Sequence, residues 1–197
     1  MTTKAGFQLI LPYFSMIYLH HATWPLFPKY AAPEAYGFAS NRVRNFYIET
    51  PDGVHLGAWH ILPQAISDQY HLTEEIPQLA FDAALLDELY PVMVYFHGNA
   101  GTRLTGHRRH LARHVTSPAV NMNYVAVDYR GFGDSSKVPP KLPSTNKGGD
   151  ANTFLGKKVP AKQIVIAGHS LGTGVATALV AQLAKLGKDL HSHEPTS

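Results

Sequence analysis

The apolar and polar positions along the chain fall into three regimes. Residues 5–28, AGFQLILPYFSMIYLHHATWPLFP, carry no formal charge. Their densest part, Phe7 to Leu19, is too short to span a bilayer, which takes about 20 predominantly apolar residues, and Pro12, His20, His21, Pro25 and Pro28 spoil its extension. The segment reads as a buried N-terminal arm, or as a membrane-surface anchor or degraded signal anchor with its aromatics at headgroup level. No small-x-small cleavage site follows it, which argues against a secretory signal.

In the second regime, Arg44 to Thr50 and Val54 to Leu62 flank Pro51-Asp52-Gly53, the pattern of a β-hairpin. Gln64 to Tyr90 is a polar, acidic connector. Within it Pro77 precedes Leu79, Ala83, Leu86 and Leu89, whose spacing predicts a short amphipathic helix with those four residues on its core side.

From Pro91 the third regime alternates strands with helices. Val92 to Phe96 is a continuous apolar run, expected of a strand buried on both faces, and ends in the loop His97-Gly98-Asn99-Ala100-Gly101. Leu104, Leu111 and Val115 mark the core side of a helix, with Arg103, His107, His110 and His114 on another side. Tyr124 to Val127 is a second buried strand, and Gln163 to Ala167 a third. Val175, Leu179, Leu183 and Leu186 then share one helical face, which Gly187 is expected to end. Such alternation predicts a parallel sheet with helices on its faces. The connection from Ser135 to Lys162 is long enough for a crossover, but Pro139, Pro140, Pro143, Gly148, Gly149 and Gly156 punctuate it and no helical periodicity appears.

Composition adds limits. A chain of 197 residues with 45% hydrophobic, 16% charged and 11% aromatic residues suits one globular domain, and the absence of cysteine excludes disulfides, thiolate metal sites and a cysteine nucleophile. The net charge of +3 is unevenly spread, with no Lys or Arg between Arg44 and Arg103. The basic half has no dense Lys/Arg tract interleaved with aromatics, so nucleic acid is not an expected partner. Arg103, Arg108, Arg109 and Arg113 read as a solvated basic helix face, with attraction of anionic headgroups as the alternative.

The candidate chemistry lies at Gly168-His169-Ser170-Leu171-Gly172, a Gly-x-Ser-x-Gly string between a predicted strand and a predicted helix. That context is what a nucleophile elbow requires: a strained strand-to-helix turn lifts the serine hydroxyl above the sheet, and the glycines clear space for the backbone packed against it. Ser170 is the candidate nucleophile, and Leu171 N–H, at the helix start, one candidate oxyanion donor. The second donor should come from the loop after an earlier strand and is assigned to Asn99 N–H.

Other motifs fail. Gly172-Thr173-Gly174-Val175-Ala176-Thr177 ends in Thr and lacks the following acid of a dinucleotide fingerprint, and Gly156-Lys157 is followed by Lys158, with Ala151 where a phosphate-binding loop would open. His110 and His114 stand four apart, but no metalloprotease glutamate accompanies them, so they read as a solvated helix face and no metal or cofactor is expected.

HGNAGTR at 97–103, His107-Arg108, DYRGFGDS at 128–135 and GHSLGTGVAT at 168–177, with the hairpin TPDGVHLGAWHILP, closely resemble the membrane-associated α/β-hydrolase-domain lipases that act on lysophosphatidylserine and monoacylglycerols. The resemblance implies an α/β-hydrolase fold, of which this chain carries the N-terminal part: the hairpin, then parallel βαβ units up to the elbow and its helix. It implies a serine esterase acting on a lipid or ester substrate, with Ser170, Leu171 and Asn99 in the roles above, at a membrane, with the endoplasmic reticulum as the candidate compartment. The expected division is 1–40, apolar arm or anchor; 41–187, partial hydrolase domain; 188–197, polar tail.

In this fold the triad runs Ser, then Asp or Glu, then His, and the chain stops at Ser197. Asp189, His191, His193 and Glu194 lie past a helix of about fourteen residues, about 21 Å long, which takes them out of hydrogen-bond reach of the serine. The expectation is therefore a C-terminally truncated hydrolase of impaired activity. The alternative is an inactive fragment or lipid-binding or regulatory module that pairs through an open sheet edge.

Overall fold

The computed structural model describes residues 27–39, 41–50, 53–71, 74–136 and 159–191, with side chains as far as residue 184. The apolar segment up to residue 26 and most of the crossover discussed above, residues 137–158, lie outside the described residues.

Strand β1 (Val43–Glu49) and strand β2 (His55–Ile61) form the expected antiparallel hairpin, in register from Val43 opposite Ile61 to Glu49 opposite His55. Two short helices follow, α1 (Gln64–Ser67) and α2 (Gln78–Leu86), and then β3 (Val92–Phe96), α3 (Gly106–Val115), β4 (Asn123–Val127), β5 (Ile164–Gly168) and α4 (Leu171–His191). The strands make one five-stranded sheet in the order β1-β2-β4-β3-β5. β4, β3 and β5 are mutually parallel as expected, and β2 joins them antiparallel to β4.

The period-two alternation of the central strands explains the two cores. Leu56, Ala58, Val92, Val94, Phe96, Val125 and Val127 face one side, where Val175 and Leu179 of α4 cover them. Trp59, Ile61, Tyr95, Tyr124 and Ala126 face the other, where Ala112 and Val115 of α3 pack together with Tyr30, Tyr36 and Phe38. Trp59 ties the segment before β1 to the sheet: its indole Nε1 donates to the Tyr30 carbonyl at 2.8 Å while Phe38 meets the ring edge-on.

Two sequence expectations change. Helix α2 exists, but its core face is Phe81, Ala84 and Leu85, whereas Leu79, Leu86 and Leu89 are 78%, 52% and 77% exposed and Ala83 is exposed as well. QLAFDAALL is apolar nearly all round, so two faces satisfy helical spacing, and the bulkiest side chain decides between them. Phe81 stands edge-on to the buried His60 ring at 5.3 Å and takes the Arg44 guanidinium over its own ring. Helix α4 does not stop at Gly187 but continues through His191.

Candidate functional site

Three loop ends meet above the carboxyl ends of the parallel strands, the usual place for a site in such a sheet. They are the loop after β3, the loop after β4 and the turn from β5 into α4. At the last of these Ser170 adopts φ 52°, a left-handed backbone that a serine holds only under constraint. The constraint is visible around it. The His169 amide donates to the Phe96 carbonyl at 3.0 Å, which pins the turn to the end of β3, and the amides of Gly172 and Thr173 bond back to the carbonyls of His169 and Ser170 at 2.9 Å. A β-carbon at Gly168 would fall on the Gly172 carbonyl, and one at Gly172 on the Phe96 carbonyl, so both flanking positions exclude any side chain. The serine side chain is exposed. Leu171 is the first residue of α4, so its N–H lies outside the helical ladder.

The loop after β3 touches the elbow. A β-carbon at Gly98 would come within 3.2 Å of Ser170 Cβ and of the His169 carbonyl. Asn99 and Ala100 follow, both exposed, and Ala100 and Gly101 have φ of 58° and 79°. Thus Ser170, Leu171 and Asn99 stand on two adjoining turns. His97 is buried, with its Nδ1 2.8 Å from the Gly98 carbonyl and Nε2 3.3 Å from Asp128 Oδ1, in keeping with a structural part in this loop. His107 and His169 lie beside the elbow with ring centroids 5.8 Å apart. His110 and His114 are exposed. The backbone of Asp189 lies about 27 Å along α4 from its start, so the helix carries it away from the turn.

Sequence reasoning misplaced the arginines and missed an acid. Neither the solvated-face nor the headgroup reading holds for Arg103 and Arg108, each only 3% exposed. Arg103 Nη1 donates to Asp128 Oδ2 at 2.5 Å and to Asp134 Oδ1 at 2.8 Å. Its Nη2 donates to Asp134 Oδ2 at 2.9 Å and Asn45 Oδ1 at 2.8 Å. Among the described residues Arg108 bonds only to carbonyls of the 98–102 loop, and Arg109 and Arg113 both donate to the Tyr36 carbonyl. These guanidiniums bind the protein's own backbone and acids.

Asp128, fully buried at the end of β4, is the hub. Burial alone would raise its pKa, but the Arg103 guanidinium and the contact with His97 outweigh that and hold the carboxyl below its usual range. Arg103 is in turn held charged: burial works against it, and the two aspartates prevail. Tyr129, next in the chain, donates its hydroxyl to the His97 carbonyl at 2.7 Å and packs on the His97 ring at 4.3 Å. The signal for this hub was present as Asp128 and Asp134 bracketing a glycine-rich loop, but nothing local tied either to Arg103.

A mixed sheet whose last described parallel strand turns through a strained, exposed serine into a helix defines an α/β hydrolase fold. The family model described as alpha/beta hydrolase fold matches residues 91–195, more than half of the chain, and the chain belongs to that family. Its curated relatives include the lysophosphatidylserine lipase ABHD12 of Danio rerio, 32% identical over 173 residues that make up 87% of this chain and 43% of the relative. The rat protein of the same name is 31% identical over 189 residues, 91% of this chain and 46% of the relative. Protein ABHD12B of Homo sapiens is 34% identical over 133 residues, 68% of this chain and 35% of that protein. The chain thus spans less than half the length of these relatives. Among solved structures it resembles the α/β hydrolase GrgF of Penicillium sp. sh18 (TM-score 0.51, 18% identity, 71% of this chain and 41% of that one). It also resembles Est1E of Butyrivibrio proteoclasticus, solved with ferulic acid bound (TM-score 0.51, 17% identity, 71% and 48%). At these identities the structures speak for the fold.

Proposed function

We propose that this chain carries the nucleophile and oxyanion half of a serine ester hydrolase acting on single-chain lipids such as lysophosphatidylserine or monoacylglycerol. Ser170 Oγ is the nucleophile, and the N–H groups of Leu171 and Asn99 receive the oxyanion that develops on the attacked carbonyl. The observation that carries the reading is the left-handed Ser170 on a turn closed by Gly168 and Gly172 and touched by Gly98. Lysophosphatidylserine as substrate rests on the relatives' printed name, and monoacylglycerol, like placement at a membrane surface of the endoplasmic reticulum, on the family resemblance. No helix among the described residues is long and apolar enough to cross a membrane.

Among the described residues no histidine nitrogen hydrogen-bonds Ser170. A serine served by binding and an oxyanion hole alone retains about 10³ to 10⁴-fold over water, so slow turnover is the expectation for this chain. The test is hydrolysis of p-nitrophenyl butyrate and of lysophosphatidylserine by the wild-type chain and Ser170→Ala. Slow hydrolysis that disappears in the variant supports the reading; equal rates in the two proteins refute it.

A second reading has its own observation. Among the described residues β5 pairs only with β3, and Val165 beside that edge is 43% exposed. A module that pairs through this edge, with or without catalysis, would show concentration-dependent association in sedimentation velocity; a monomer across the range would exclude it.

A further inference from the structure

Arg108 is a buried cation whose hydrogen bonds go to three carbonyls and to no carboxylate among the described residues. Nη2 donates to the carbonyls of Gly98 at 3.1 Å and Ala100 at 2.8 Å, and Nη1 to that of Thr102 at 2.9 Å. Asp128 favours its charge from a distance without bonding it, and a guanidinium taken out of water with no bonded carboxylate is costly, so the arrangement calls for a purpose beyond filling space. The bonded carbonyls alternate along the loop after β3, at 98, 100 and 102, and the planar fork of the guanidinium suits such an array as an ammonium does not.

The consequence lies in peptide geometry. In a trans peptide the C=O and the following N–H point in opposite directions. The peptide that contains the Gly98 carbonyl also contains the Asn99 N–H. Drawing that carbonyl inward, where Arg108 and His97 Nδ1 both meet it, turns the Asn99 N–H outward. Gly98 itself lies against Ser170 Cβ.

We propose that Arg108 is a positioning residue for the oxyanion site: by holding the carbonyls of Gly98, Ala100 and Thr102 inward it aims the Asn99 N–H at the space above Ser170. This rests on Ser170 being the nucleophile. A free loop with Ala100 and Gly101 both left-handed can rotate its peptides; Arg108 removes that freedom before substrate arrives, which is the preorganisation that makes such donors effective.

The test compares Arg108→Met and Arg108→Lys with Arg109→Met, a neighbour whose described hydrogen bond goes to the Tyr36 carbonyl instead of the loop. Two readouts are needed. In ¹H–¹⁵N spectra, R108M should shift or broaden the amides of residues 98–101 while those of β3 and β4 stay in place, and R109M should leave the loop unchanged. In steady-state hydrolysis of p-nitrophenyl butyrate, R108M should lower kcat on the order of 10²-fold, the cost of one oxyanion donor, with KM within about two-fold. R108K should fold and recover part of the loss, about ten-fold, as a point charge that reaches fewer carbonyls. Loop amides that do not move in R108M overturn the proposal, as does a moved loop with unchanged kcat. A wild-type chain with no Ser170-dependent turnover defeats the nucleophile reading, and the loop amides then decide alone whether Arg108 sets the loop.

Discussion

Arg103 and Asp128 close on each other inside the protein: the guanidinium Nη1 lies 2.5 Å from one carboxylate oxygen and the Arg103 amide 2.7 Å from the other. This pair joins the loop after β3 to the end of β4, and through Asn45 it reaches the hairpin. The Arg103 guanidinium also lies over the Tyr30 ring at 4.3 Å, so the segment before β1 is held by the same residue.

Asp128→Ala leaves that guanidinium buried with one acid fewer. Breaking a buried pair from one side costs roughly 3–5 kcal/mol, and urea denaturation should show a loss of that order, whereas removing both partners in Arg103→Met/Asp128→Leu should cost less. Equal losses for the single and double variants would show that the pair contributes nothing specific. The pH dependence has a definite sign. The folded pKa of Asp128 lies below its ordinary value of 3.8, so its stabilisation is complete above that value and is lost as pH falls through the lower, folded one. Asp128→Asn should therefore flatten the acid limb of the stability curve below about pH 4.

His60 is wholly buried, with Nε2 2.9 Å from Asn123 Oδ1. The Asn123 amide nitrogen donates to the carbonyls of Ala84 and Tyr90, so its oxygen is the acceptor and His60 carries the proton on Nε2. Burial is the main cause that lowers the His60 pKa from 6.5 to about 3. Its contribution is complete above pH 6.5 and is lost as pH falls toward 3, on the order of 5 kcal/mol across that range. The check is a series of urea midpoints from pH 7 to pH 4. Wild type should lose stability steadily below pH 6.5, and His60→Phe should show a shallower slope over the same interval.

Gly172 stands where a β-carbon would strike the Phe96 carbonyl. Gly172→Ala should destabilise by about 1–3 kcal/mol, the usual cost of forcing atoms into a packed region, and should suppress any Ser170-dependent ester hydrolysis more strongly than it lowers the melting temperature. An alanine variant with unchanged stability and turnover would mean that the elbow is looser than described.

The two leucines at the end of α2 separate the observed face from the expected one. Leu85 is 1% exposed and Leu86 is 52% exposed. Leu85→Ala should cost about 2–5 kcal/mol and Leu86→Ala no more than about 0.5 kcal/mol, measured by thermal denaturation. The reverse order would restore the face suggested by Leu79, Ala83, Leu86 and Leu89.

How much could be seen in advance follows the range of the interactions. The elbow was legible because strand, glycines and helix are contiguous in sequence and each constrains the next. The hairpin was legible from the turn residues Pro51-Asp52-Gly53 between two strand-like runs, and the parallel strands from short uninterrupted apolar runs such as Val92 to Phe96. The face of α2 was not, because a short helix apolar nearly all round offers two solutions and a distant partner, His60, selects one. The hub was not, because Asn45 comes from β1, Arg103 from the loop after β3, and Asp128 and Asp134 from the loop after β4. Charges at those spacings look like solvated surface until the fold buries them together.

The role of Ser170 is tested most directly by covalent mapping. The full chain and Ser170→Ala would each be incubated with p-nitrophenyl butyrate, quenched in acid, digested and read by mass spectrometry. The expected result is a butyryl adduct on the Ser170 peptide of wild type that is absent from the variant. An unmodified Ser170 in wild type, or equal acylation of the two proteins at other residues, would contradict its assignment as the nucleophile.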